Sequence, residues 1–174
     1  MIDDAIRHSI TKMANYHFVA TDIYRNRVIQ LGENPSHVYN VGGMGVDAIA
    51  DLNFMQKQEL EDSLGFPFLE KNLLITFHPV VSSKLKPEDQ LQELLSALTF
   101  YDSTRLIFTY SNADQGGRVL IDMVTRFCQE NENAYCFPSL GYLRYLSCLQ
   151  FVDGLVGNSS SGLLEAPSFK IGSV

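Results

Sequence analysis

The chain has 174 residues, enough for one good core or for one domain and part of another. Hydrophobic residues make up 45% and charged residues 19%, the balance of a soluble globular protein. A net charge of −7 argues against nucleic acid held on a basic face, so an anionic ligand would need locally placed donors.

Cys128, Cys136 and Cys148 are odd in number and lack metal-ligand spacing, and read as apolar side chains of a reduced, cytoplasmic protein. No apolar run approaches the roughly 20 residues of a membrane span. Met1 to Arg7 is charged from its third residue and does not read as a signal peptide.

In chain order, Ile2, Ile6, Ile10 and Met13 recur at helical spacing, which predicts a helix over 3–13. Asp3 and Asp4 fall in its first turn, where the helix dipole favours negative charge, and Arg7 stands four residues after Asp3, as a helical ion pair would. A strand over 16–21, a helix over 24–31 ended by Gly32 and a strand over 37–41 follow. Gly42, Gly43 and Gly45 do not match the G-x-G-x-x-G spacing and read as a tight turn into a helix over 46–50. Residues 51–70 carry no strand signal. A polar helix ends at Gly65, and a domain boundary is expected there: 1–52 as one part, 53–70 as connector, 71–174 as the next.

From Lys71 the pattern is regular. Strands are expected over 72–77, 105–110, 134–137 and 151–156, with helices over 87–99, 117–130 and 142–150 between them. Pro87 suits a first helical turn, where its missing N–H is not needed. A last helix follows Ser159-Ser-Ser161 and is expected to stop at Pro167. Such alternation predicts a parallel sheet covered on both faces. Ligands of these sheets bind beyond the carboxyl ends of the strands. His78, Asn112, Leu140 and the pair Ser159 and Ser160 each come directly after a strand, so all should reach one rim. Singly, such residues are ordinary turn formers; together they indicate a site. The Ser/Gly turn at 157–162 can serve as a plain helix cap or offer N–H and O–H donors to a phosphate.

Four stretches together resemble the hydrolysing UDP-N-acetylglucosamine 2-epimerases: Ile2-Asp-Asp-Ala-Ile-Arg-His-Ser-Ile-Thr-Lys12, Phe77-His-Pro79, Ser111-Asn-Ala-Asp114 and Gly157-Asn-Ser-Ser-Ser-Gly-Leu-Leu-Glu165. The likeness is to the bacterial branch that makes sialic acid or related nonulosonates, and it runs nearly end to end. It implies a glycosyltransferase-B-like α/β fold of two Rossmann-type domains with a UDP-sugar between them, both incomplete in this chain. It also implies elimination of UDP followed by hydration to free N-acetylmannosamine, without metal or redox cofactor.

Matched by position, Asp3 becomes a proton-handling carboxylate, with Arg7 in the same motif. His78 becomes a group assisting UDP departure and Asn112 a ligand contact. The Leu140 backbone meets uracil, Ser159 and Ser160 hold the diphosphate, and Glu165 accepts from the ribose hydroxyls. Relative to the family the chain begins late and stops early, so UDP binding without turnover, and self-association through uncovered apolar faces, are expected of it alone. A glycosyltransferase with the same nucleotide domain is the competing reading; the 2–12 motif argues against it.

Overall fold

The computed structural model describes residues 2–79, 85–111 and 117–174; the side chains of Ile2, Asp3 and Met44 are not among the described groups. The chain divides into two compact units, Met1–Asp51 and Leu52–Val174.

In the first unit, α1 (Ile2–Met13) precedes β1 (His17–Val19), α2 (Asp22–Gln30), β2 (Val38–Asn40) and α3 (Met44–Ala50). The two strands pair in parallel, Phe18 opposite Tyr39, and α2 is the crossover between them. Thr21 caps α2 by accepting the Tyr24 N–H at 3.2 Å. Arg25 ties the crossover to the second strand, donating to the Val38 carbonyl at 3.0 Å and to the Pro35 carbonyl at 3.0 Å. Glu33 bridges Lys12 at 2.6 Å and His17 Nε2 at 3.3 Å. The Lys12 hydrogen bond, foremost, holds the Glu33 carboxyl below its ordinary value.

The second unit contains α4 (Lys57–Leu64), β3 (Lys71–Thr76), α5 (Pro87–Leu98), β4 (Thr104–Thr109), α6 (Gly117–Glu130), β5 (Ala134–Phe137), α7 (Gly141–Cys148), β6 (Gly154–Gly157), α8 (Ser161–Leu164), α9 (Ala166–Phe169) and β7 (Gly172–Ser173). Its strands form one parallel sheet in the order β5-β4-β3-β6-β7. Adjacent strand residues face opposite sides. On one side Ile75, Leu106 and Phe108 meet Leu91 and Leu95 of α5 and Leu120, Val124 and Phe127 of α6. Leu74 and Ile107 face the other side, fully buried, as are Leu60 of α4 and Leu146 of α7.

Residues 53–70 are bound tightly into the second unit. Gly65, in the left-handed region at φ 83°, turns α4 into a segment that buries Phe66 and Phe68. Phe66 packs on Tyr135 with ring centroids 4.1 Å apart, and the buried Arg105 of β4 lies against the pair, its guanidinium 5.1 and 4.9 Å from their centroids, donating to the Pro67 carbonyl at 3.3 Å.

Two local expectations are corrected, and one strand goes beyond them. The strand expected over 151–156 begins at Gly154, because Phe151 to Asp153 make the turn out of α7. Pro167 does not stop the last helix. α8 already ends at Leu164, Glu165 makes the break, and Pro167 sits in the first turn of α9, where it costs no hydrogen bond. β7 adds a strand with no apolar pattern to announce it, held by backbone pairing to β6.

Candidate functional site

The chain builds β3, β4 and β5 outward in one direction and then returns to place β6 on the other side of β3. The carboxyl ends of β3 and β6 therefore flank the point where strand order reverses, which is where sheets of this kind leave a crevice. An open cleft of about 760 Å³ lies there, walled by the segments that follow β3, β4, β5 and β6.

His78 comes from the β3 end and is half-buried on the cleft wall. Thr76 and Thr109, the last residues of β3 and β4, also line it, and their hydroxyls hydrogen-bond to each other at 2.5 Å. Leu140 is buried after β5; its carbonyl already accepts from Arg144 Nε at 3.0 Å, and Ser139 Oγ accepts the Gly141 N–H at 3.0 Å.

After β6 the serine turn uses one hydroxyl as a cap and leaves the next one out of that role. Ser159 Oγ accepts the Ser161 N–H at 3.3 Å, as a cap does, while its own O–H proton remains to be donated. Ser160 occupies the N-cap position of α8 without a side-chain cap bond and is exposed. Gly157 enters the turn at φ 128°, and a Cβ there would stand 2.0 Å from the Thr76 carbonyl oxygen. Only glycine lets β6 end this close to β3.

Among the described residues, the buried oxygens Ser111 Oγ and Glu165 Oε2 have no hydrogen-bond partner, and Ser161 Oγ, which has no partner of good geometry, lies against the Tyr145 phenol. All three belong to residues on this cleft wall. Buried polar atoms are nearly always satisfied, and an orphan costs about 1–3 kcal/mol. Ser111 Oγ and Glu165 Oε2, at one opening, keep hydrogen-bonding capacity that the described protein groups do not use.

Tyr145 of α7 closes the wall between them. Burial, foremost, pushes its phenol above the ordinary 10.0; hydrogen bonding with the Ser161 hydroxyl pulls it down, and the Glu165 charge raises it. Tyr110 has its hydroxyl 3.0 Å from Thr125 Oγ1 and 3.4 Å from Cys136 Sγ, and the Cys136 contact chiefly raises its pKa. Both tyrosines were missed by sequence reasoning. Tyr110 does follow the β4 run, but Tyr145 has the helical spacing of a core residue and gives no signal.

Thus His78, Leu140, Ser159, Ser160 and Glu165 come together around one cleft of the second unit. Asn112 lies outside the described residues. Asp3 and Arg7 belong to α1 in the first unit; Arg7 is exposed, and the Asp3 side chain is not described. Among the described residues, no group of three or more His, Cys, Asp or Glu is placed to hold a metal ion, and no helix is long and apolar enough to cross a membrane.

The all-parallel sheet, its reversal at β3 and β6 and the cleft at that reversal define a doubly wound α/β unit of the Rossmann type. The family model described as UDP-N-acetylglucosamine 2-epimerase matches residues 1–174, and the chain belongs to that family.

A Campylobacter jejuni protein named GDP/UDP-N,N'-diacetylbacillosamine 2-epimerase (hydrolyzing) is 39% identical over 170 residues, 97% of this chain and 44% of that protein. An Escherichia coli protein named polysialic acid biosynthesis protein P7 is 42% identical over 173 residues, 99% of this chain and 44% of its own length. The chain thus spans less than half the length of these relatives.

Among solved structures, the Neisseria meningitidis UDP-GlcNAc 2-epimerase bound to UDP-GlcNAc matches with a TM-score of 0.72 at 14% identity, covering 94% of this chain and 45% of that one. The Staphylococcus aureus MnaA–UDP co-structure matches with a TM-score of 0.71 at 16% identity, covering 94% and 43%. Both carry the glycosyltransferase-B-like α/β fold, of which this chain has part.

Proposed function

We propose that the cleft of the second unit binds UDP, and that the chain is the nucleotide-binding part of a hydrolysing UDP-N-acetylglucosamine 2-epimerase. The observation that carries this reading is the pair of unpartnered buried oxygens on Ser111 and Glu165, at the reversal point beside His78 and the serine turn. Solved members of the fold bound to UDP or UDP-GlcNAc support it.

In this reading Ser159 and Ser160 donate to the diphosphate, and Glu165 accepts from the vicinal ribose hydroxyls, which suit a carboxylate. The Leu140 backbone borders the uracil, with Tyr145 beside it. His78 stands where charge develops on departing UDP, and Asn112 adds a ligand contact. Donors already aimed at that charge stabilise it more than water can.

The whole protein would eliminate UDP to leave a 2-acetamidoglucal and then add water, giving N-acetylmannosamine or a related sugar for sialic-acid-type biosynthesis in the cytoplasm. Asp3 would handle a proton of that reaction, with Arg7 alongside. The first unit corresponds to the end of the first Rossmann-like domain and residues 71–174 to part of the second. The chain alone binds UDP without turning over the sugar nucleotide, and its exposed apolar side chains favour self-association.

Calorimetric titration of UDP into the 174-residue chain tests the binding. Saturable uptake that Ser160→Ala and Glu165→Ala each weaken about tenfold is expected, since each removes a hydrogen bond to a charged or vicinal-diol group. No uptake by the wild-type chain, or uptake that both variants leave untouched, refutes the assignment.

A further inference from the structure

The reversal point of the sheet is fastened by a side chain outside the set assigned to the ligand. Asn158 follows β6 directly, and its carboxamide faces the peptide group of His78. Oδ1 accepts the His78 backbone N–H at 2.7 Å, and Nδ2 donates to the His78 carbonyl at 2.8 Å. The β3–β6 ladder itself ends with Thr76 opposite Gly157. The asparagine therefore adds a two-bond rung beyond the last backbone pair, made from a side chain that reproduces a peptide's donor and acceptor.

Few groups can do this. A carboxylate has two acceptors and would turn a lone pair toward the His78 carbonyl, and a serine hydroxyl has one atom to offer. The two partners also fix which end of the amide is oxygen. The fastening is placed between the two halves of the cleft wall: His78 on the β3 side, Ser159 and Ser160 on the β6 side.

We infer that Asn158 is a positioning residue, which holds the His78 backbone so that the imidazole stays registered against the serine turn. Resting on the reading of this cleft as a UDP site, the inference makes Asn158 act through His78 and not by touching the nucleotide.

Two measurements on the 174-residue chain test it. In the ligand-free protein, the His78 backbone amide should exchange with solvent about tenfold faster in Asn158→Ala, because the variant removes its acceptor. In Asn158→Asp the acceptor remains, and exchange should stay nearer the wild-type rate. An unchanged His78 amide in Asn158→Ala, with the sheet resonances of Leu74 and Ile107 intact, overturns the clamp.

The second measurement is a double-mutant cycle on UDP affinity. Asn158→Ala should weaken UDP about tenfold in the wild-type background and less than about twofold in the His78→Ala background, which keeps the clamped backbone but lacks the imidazole. Equal loss in both backgrounds overturns the inference, since the residue would then act on the serine turn or on the fold at large. A wild-type chain that takes up no UDP overturns the nucleotide reading, and with it the role given to Asn158; the amide exchange still reports separately whether the clamp exists.

Discussion

The two units use the same strand–helix–strand grammar and end with very different amounts of buried surface. In the second unit, Ile75, Phe108, Leu74 and Ile107 bury both faces of the sheet. In the first, Val38 and Ile49 are the buried hydrophobic residues among those described, while Phe18 is 65% exposed and Ile10 60%. The Thr21 cap, the Arg25 ties and the Glu33 bridges give the first unit sound local geometry. Local bonds of this kind are each worth about 1 kcal/mol or less, and a two-stranded sheet is marginal without more to pack on. Buried area, more than correct local pattern, makes a strand end rigid enough to present a site.

The largest contrast is at glycines. Gly157→Ala drives a Cβ to 2.0 Å from a backbone oxygen of β3, so a strand must move. We expect a loss on the order of 4 kcal/mol and no UDP binding, read by thermal melting and calorimetry. Gly42 in the first unit also has positive φ, 76°, but nothing stands within 4 Å of its Cβ position. Gly42→Ala should cost only the backbone strain, about 1–2 kcal/mol. Equal losses at the two sites would mean that the close approach at the cleft is not a constraint.

Phenylalanines make the next contrast. Phe108, 2% exposed and edge-on to Phe127, should cost about 3–5 kcal/mol on truncation to alanine. Phe18 stacks on Tyr39 at 5.7 Å but is largely in solvent, and Phe18→Ala should cost about 1 kcal/mol. Chemical denaturation with a probe in each unit checks both values. A Phe18→Ala loss matching that of Phe108→Ala would show that the first unit is covered in solution.

What the sequence made legible follows the same division. The strands β3 to β5 were readable because each is an apolar run bounded by turn residues, and their regular alternation with helices requires a common carboxyl edge. That rule brings His78, Leu140 and Ser159 to one rim from the sequence alone. It does not assign their chemistry, which came from resemblance and stays a proposal. The rest was hidden for physical reasons. β7 is two residues of backbone pairing without a side-chain pattern. The Asn158 clamp joins residues 80 positions apart and uses an asparagine indistinguishable in sequence from a turn former. Tyr145 becomes a wall of the cleft only through the way α7 packs. The 2–12 motif was the most recognisable stretch of the first unit, yet recognisability there reports ancestry, not burial.

Arg105 allows a smaller test of how residues 53–70 are fastened. Its planar guanidinium lies against the packed pair of Phe66 and Tyr135 while Nε reaches the Pro67 carbonyl. A lysine keeps the charge but has neither the planar group to lie against the rings nor the Nε that reaches the Pro67 carbonyl. Arg105→Lys should therefore lower stability by about 1–2 kcal/mol in denaturant melts, with faster amide exchange around Phe66 and Phe68 and UDP affinity unchanged. A neutral outcome would show that the aromatic contact is only a place to store the side chain.

The smallest effects separate the units by the kind of partner a carboxylate has. Asp153 is held below its ordinary 3.8, first by the Lys71 hydrogen bond at 2.9 Å, and further by the Asn72 backbone N–H at 2.8 Å. Glu33 is held below its ordinary 4.5, first by Lys12, with His17 adding to it. In both, folding favours the ionised form, so the stabilisation is complete above the free carboxyl's range and is lost as pH falls through the depressed folded value. The melting difference between wild type and Asp153→Asn, or Glu33→Gln, should thus be present near about pH 6 and close below about pH 4. Salt then distinguishes them. Lys12 is 55% exposed, and about 1 M salt should erase most of the Glu33 difference. The Asn72 N–H belongs to the sheet, where screening does not reach a directional hydrogen bond. Part of the Asp153 difference should survive at the same salt. If it vanished as the Glu33 difference does, the backbone contact would contribute nothing beyond the ion pair.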